Sequence, residues 1–131
     1  MCKEVLTVRV RIKEALEVKG SSNGATMILF DGDCDCDNFK GKILPGGVDT
    51  QRIGEDGLVS LSARYIMEGV DRNGQDCRIF IENNGKILSD GSMATKPYVL
   101  TDSAALRFLE DAELTGTVEG VLDGVVIHIF E

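Results

Sequence analysis

Phe39-Lys40-Gly41-Lys42-Ile43-Leu44-Pro45-Gly46-Gly47-Val48-Asp49-Thr50-Gln51 is a strand-like run broken by Pro-Gly-Gly and resumed with an acid. Its order of residues is what ordinary strand-and-turn grammar explains least. Pro45 removes a backbone donor, and Gly46 and Gly47 permit positive φ or a close backbone approach. The chain must therefore bend sharply before it presents Asp49 and Gln51 on one side of the resumed strand.

Outward from this bend the chain reads as β-structure. Leu6, Val8, Val10 and Ile12 alternate with Thr7, Arg9, Arg11 and Lys13, the period of a strand with one buried face. Residues 19–24 form a loop, and residues 25–30 begin a second strand that runs into Asp31, Asp33, Asp35 and Asp37, acids that alternation sends to one face. Val59, Leu61, Ala63, Tyr65 and Met67 share a face opposite Ser60, Ser62, Arg64 and Glu68. Asp71-Arg72-Asn73-Gly74 closes a hairpin, and residues 77–82 supply its return strand. Residues 83–101, rich in Gly, Ser and Asn and carrying Pro97, read as a long loop or lid. Thr101-Asp102-Ser103 offers capping side chains for a short helix near residues 102–110. Two last strands flank Asp123-Gly124. Many short strands joined by Gly-containing turns mean a sandwich or a barrel, and periodicity leaves both open.

The 131 residues, 43% hydrophobic, suffice for one domain with a real core over residues 1–131. Fourteen Lys and Arg against 22 Asp and Glu give a net charge of −8, which repels phosphate backbones and anionic lipid. Neither nucleic acid nor a membrane is an expected partner. Nothing approaches the ~18 consecutive apolar residues of a membrane span, and the N-terminus alternates where a signal peptide is uniformly apolar, so a cytoplasmic protein is expected. Reduced thiols follow for Cys2, Cys34, Cys36 and Cys77, which read as small core-compatible residues. Cys34-Asp35-Cys36 has neither redox C-x-x-C nor zinc-knuckle spacing, and no metal or other cofactor is expected.

Four segments together resemble a known family: the L-P-G-G-x-D-x-Q run, Ala63-Arg64-Tyr65, Ile79-Phe80-Ile81-Glu82-Asn83-Asn84-Gly85, and the closing hydrophobic strand. That family is the bacterial and fungal domain of unknown function 3237, also called uncharacterised protein family 0311. The resemblance implies a small antiparallel β-barrel and no established activity. With it the expected fold is an antiparallel closed barrel of about eight to ten strands with one short helix, wide enough to be filled by side chains or to hold one small ligand.

Asp49 and Gln51 lie where a barrel places a binding or catalytic carboxylate, the Pro45, Gly46 and Gly47 bend fixing where they emerge. An Asp after Gly-Gly also serves simply to bind turn amides. Arg64 lies opposite the apolar set of its strand, so either it sits on the solvated wall or the interior is partly polar, and facing inward it needs a carboxylate, Asp49 or Glu82; a structural ion pair ranks above catalysis for it. Tyr65 shares the apolar face and can bring its hydroxyl to a cavity or satisfy a backbone group. Glu82 and Asn83, in the matched segment, complete the candidate ligand-binding set. The aspartate run is no calcium loop, because Cys36 occupies the required glycine position and Lys42 the terminal glutamate. A Ser-His-Asp triad would have to recruit His128, the only histidine, and no G-x-S-x-G elbow exists. The leading reading is a barrel that binds a small, partly apolar molecule near Asp49. An acid/base enzyme of isomerase or cyclase type using the same pocket is the first alternative. An interaction protein with a filled barrel that self-associates as a homo-oligomer is the second.

Overall fold

Strand β1 (Glu4–Lys19) carries the N-terminal alternation, with Leu6, Val8 and Val10 buried and Arg9 and Arg11 facing solvent. The computed structural model describes residues 3–131 and continues with β2 (Gly24–Asp35), β3 (Phe39–Ile43), β4 (Val48–Ile53), β5 (Val59–Asp71) and β6 (Asp76–Ile87). Then follow β7 (Met93–Thr101), the one-turn helix α1 (Phe108–Asp111), β8 (Thr115–Val121) and β9 (Gly124–Phe130). Every pairing is antiparallel. The ladder runs β1-β9-β8-β7-β6-β5, passes through β3 and β4 to β2, and returns to β1, so the sheet closes as a barrel.

β3 and β4 lie end to end in a single position between β2 and β5. Lys42 stands opposite Asp33 and Glu68, whereas Val48 stands opposite Leu29 and Arg64: six residues advance where each neighbour advances four. The two surplus residues are thrown outward at Leu44-Pro45-Gly46-Gly47. Gly46 takes a φ of 113°, open only to glycine at low cost. Gly47 is buried for a different reason: a Cβ there would lie 3.0 Å from Phe30 Cε1 and 3.1 Å from the Phe30 carbonyl oxygen. The Phe30 amide donates to the Gly47 carbonyl at 3.1 Å and pins the bend. An even surplus preserves alternation, so Phe39 and Ile43 before the bend and Asp49 and Gln51 after it all face the interior.

The two ends of the barrel differ. At the end bearing the β2–β3 and β5–β6 turns, Leu106 and Leu109 pack into the core with Phe39, Met67, Ile79 and Ile129, each 1% exposed or less. Full burial of each such side chain contributes ~1.5–3 kcal/mol, so this end is a closed plug. Its helix is later and shorter than the sequence suggests. Tight turns come first, the Ser103 hydroxyl accepting the Leu106 amide at 3.2 Å, and α1 occupies only residues 108–111.

Residues 83–101 are not a loop or lid. β6 runs through Asn83-Asn84-Gly85 to Ile87, β7 resumes at Met93, and only residues 88–92 connect them. Ladders to β5 on one side and β7 on the other override the weak strand preference of Asn and Gly. Pro97 is tolerated because the ladder from β7 to β8 is confined to Ala94 and Thr95. The β4–β5, β5–β6 and β6–β7 connections share one loop, in which Gly57, Gly74 and Gly91 hold φ of 78°, 76° and 87° after a turn.

The bend generates a test. Gly47→Val forces methyl groups onto Phe30 and its carbonyl, and should lower stability by ~1–3 kcal/mol in urea unfolding. A loss below about 0.5 kcal/mol, the scale of a surface substitution, would show that the bend is loosely packed.

A second test comes from the outer wall. His128 on β9 bridges the Glu4 carboxylate through Nδ1 and Glu119 Oε1 through Nε2, the latter at 3.1 Å. Glu119 first and Glu4 second raise its pKa above the ordinary 6.5. The stabilisation is whole below the unfolded value and is lost as pH rises through the higher folded one. Wild type should therefore exceed His128→Gln in stability at about pH 6 and lose that advantage by about pH 9.

Candidate functional site

Asp49 stands opposite Ala63 on β5, and Ala63 opposite Asn83 on β6. All three point inward, and the small Ala63 leaves space flanked by the carboxyl and the carboxamide. One inward position nearer the open end, Gln51 stands opposite Leu61 and Leu61 opposite Gly85. The Gln51 Nε2 donates to Asp49 Oδ2 at 3.0 Å. Asp49 Oδ1 and Asn83 Oδ1 are buried and have no hydrogen-bond partner among the described residues.

These polar groups face a cavity of about 220 Å³ whose other walls include Ile28, Phe30, Leu61, Val118 and Ile127. Ile12 at its rim is 50% exposed, so the cavity lies toward solvent at the end away from the plug. A cavity of about 150 Å³ with aliphatic walls admits benzene, which sets the scale here at roughly one substituted ring. A broader depression of about 910 Å³ lies on the outer wall around Thr50, Ser62 and Asn84, but it is open and lacks unmatched buried acceptors. The lumen is the better candidate, since apolar walls with a few convergent polar groups are what small ligands require.

Burial raises the Asp49 pKa above the ordinary carboxylate value, against the opposing hydrogen bond from Gln51 and the backbone at Ser62. The protonated acid is a hydrogen-bond donor facing the same cavity as the Asn83 acceptor; the ionised form is a base in an apolar chamber. The protonated form can give a proton to a molecule in the lumen, and the ionised form can take one from it.

The remaining expected site residues divide by strand parity. Tyr65 is buried but is not part of the cavity wall; its ring packs edge-on against Phe30, centroids 5.5 Å apart at 75°. Its hydroxyl also lacks a partner among the described residues, and burial pushes its pKa up. Arg64 does not join Asp49. Val48, not Asp49, is its neighbour across the ladder, so Arg64 lies on the outer wall, 62% exposed, with Nε 3.3 Å from Glu82 Oε1. Glu82 is likewise outside, and this exposed pair is worth at most ~1 kcal/mol. Pro45, Gly46 and Gly47 act through backbone shape alone. Of the aspartate run, Asp31 and Asp33 pair with Arg11 and Arg9, and no cluster of three or more His, Cys, Asp or Glu able to hold a metal occurs among the described residues. The sequence reading passed over the cavity wall residues Phe30 and Met93; parity with Asp49 across the ladders is the signal that finds them.

Asp49 carries a pH test. Because its folded pKa lies above the unfolded 3.8, the native state retains a proton that the unfolded chain has released. Stability then falls as pH rises from the unfolded value through the folded one, and the deficit persists above it. Asp49→Asn should remove that fall and be the more stable protein at neutral pH in urea unfolding. Parallel pH curves for the two proteins would refute a buried, proton-retaining acid.

Fold and site together define a small antiparallel β-barrel, plugged at one end, with an acid-bearing apolar lumen at the other. The chain belongs to the family described as Protein of unknown function (DUF3237), which matches residues 2–131. A UPF0311 protein of Clostridium acetobutylicum is 44% identical over 57 residues, 44% of this chain and 34% of that protein. That alignment thus spans about a third of the curated relative's length. A crystal structure of a Clostridium acetobutylicum protein with unknown function matches with a TM-score of 0.84 at 23% identity, covering 99% of this chain and 97% of that one. A crystal structure described as an enzyme from Penicillium herquei matches at 0.76 and 16% identity, covering 100% and 94%. Identities this low establish the fold alone.

Proposed function

We propose that the barrel binds a small, mainly apolar molecule through its open end, with a hydroxyl of that molecule set between Asp49 and Asn83. The observation that carries this reading is the pair of buried, unpartnered oxygens, Asp49 Oδ1 and Asn83 Oδ1, facing an apolar cavity. An unmatched buried polar group costs about 1–3 kcal/mol, which a ligand hydroxyl recovers by donating to Asn83 and accepting from protonated Asp49. A self-associating barrel filled by its own side chains lacks its premise at this end.

An acid/base role of isomerase or cyclase type in the same chamber is the second reading. It is favoured by the raised pKa of an acid facing a cavity, and by a fold neighbour described as an enzyme. The two readings share the pocket and differ only in whether the proton of Asp49 moves.

Phenol is a suitable first probe, with benzene as its partner lacking the hydroxyl. Calorimetry should show saturable phenol binding, weakened by Asp49→Ala more than benzene binding is, and abolished by Ala63→Leu, which fills the space beside Asp49. Absence of saturable phenol binding, or binding indifferent to Ala63→Leu in a protein still folded by circular dichroism, would defeat the proposal. Accelerated α-proton exchange of cyclohexanone in heavy water, lost in Asp49→Asn, would decide for the acid/base reading.

A further inference from the structure

Cys34 and Cys36 are drawn together by the β2–β3 hairpin. β2 ends at Asp35, and reciprocal backbone hydrogen bonds between Cys36 and Phe39, 3.1 and 3.2 Å, close a tight turn around Asp37-Asn38. Alternation points both thiols to the same side, and the turn leaves their Sγ atoms 3.4 Å apart. A disulfide requires about 2.05 Å, so side-chain adjustment of roughly 1.4 Å separates contact from bond.

Their surroundings are unequal. Cys34 is 2% exposed, within the core. Cys36 is half-buried and lines a surface cleft of about 440 Å³ with Lys3, Glu4, Asn38, Asp37 and Arg72. One thiol is placed to meet a reagent from solvent and the other to resolve what forms.

We infer that Cys34 and Cys36 form a redox-active dithiol that exchanges with small-molecule disulfides at the plugged end of the barrel, apart from the lumen. In the first step the Cys36 thiolate attacks one sulfur of the small disulfide; a mixed disulfide forms and one small thiolate leaves. Cys34 then gives its proton to solvent and attacks Cys36 Sγ, forming the Cys34–Cys36 bond and expelling the second small thiolate. Protein dithiol is oxidised by two electrons and the small disulfide is reduced to two thiols. The contact between the two thiols draws the Cys36 pKa down, to about 6, while the same contact and burial push Cys34 up. A ring spanning one intervening residue removes little chain entropy, so the bridge serves chemistry more than stability.

The test uses the full chain carrying Cys2→Ser and Cys77→Ala, so that only the two thiols remain, with oxidised glutathione as the probe. Intact-mass measurement should show a product lighter by two hydrogens, resistant to alkylation at both positions and restored by dithiothreitol. Cys34→Ala should trap a glutathione adduct on Cys36, and Cys36→Ala should resist modification. In the reduced protein iodoacetamide should label Cys36 at least about ten-fold faster than Cys34 at neutral pH. A stable adduct on Cys36 with Cys34 present, no oxidation at all, or equal labelling of the two thiols in protein that circular dichroism shows folded would overturn the inference.

Discussion

A barrel closes only if every strand position is filled in register, and here one position is filled by a strand with two residues too many. β3 and β4 meet β2 and β5 on both sides of the bend, so the surplus cannot be absorbed by slippage of either neighbour. It is expelled at Pro45-Gly46-Gly47, where one glycine supplies a left-handed φ and the other lets the backbone close on Phe30. The parity of the surplus matters more than its size. A single extra residue would have turned Asp49 and Gln51 to solvent and brought Val48 and Thr50 inside, because one step of register exchanges the two faces of a strand.

The same geometry sorts the interior into two regimes. Beneath the bend, Phe39, Met67, Ile79 and the Leu106 and Leu109 plug are tightly buried, and their burial holds the ring together. Above it the apolar inward residues are interrupted by Asp49, Gln51, Ala63 and Asn83, too small or too polar to fill the lumen. A core optimised for stability alone would place aliphatic side chains there. Buried oxygens without partners are costly, and sequences retain such costs where the site does something else. The packed half thus supports the stability deficit of the half that holds the lumen.

Much of this was legible in the residues. The alternation of Leu6, Val8 and Val10 and of Leu61, Ala63 and Tyr65 gave faces directly, the glycine-bearing turns gave hairpins, and the Pro-Gly-Gly break marked the segment that delivers Asp49. Three things were not legible, each for a physical reason. Asn83-Asn84-Gly85 and Pro97 are poor strand formers, and only ladders supplied from distant sequence make them strand. Whether Arg64 meets Asp49 or Glu82 depends on the registers of the β4–β5 and β5–β6 hairpins, which the connecting turns set and alternation within each strand cannot. The contact between Cys34 and Cys36 depends on the turn at Asp37-Asn38, whereas spacing alone describes two side chains on one strand.

In the proposed binding reading, ligand binding and the proton on Asp49 would be coupled by the same burial that raises its pKa. A neutral molecule seated in the lumen excludes water from the carboxyl and deepens desolvation, which favours the protonated acid further. By reciprocity the protonated barrel is the better receptor for such a molecule, and the ionised barrel the poorer one. Asn83, whose oxygen does not titrate, keeps its acceptor role at every pH, so orientation of a bound hydroxyl survives a change that weakens its affinity. On that reading the site would separate two tasks that one carboxylate would have confounded: Asn83 would fix where the hydroxyl sits, and Asp49 would set whether a proton is available to it.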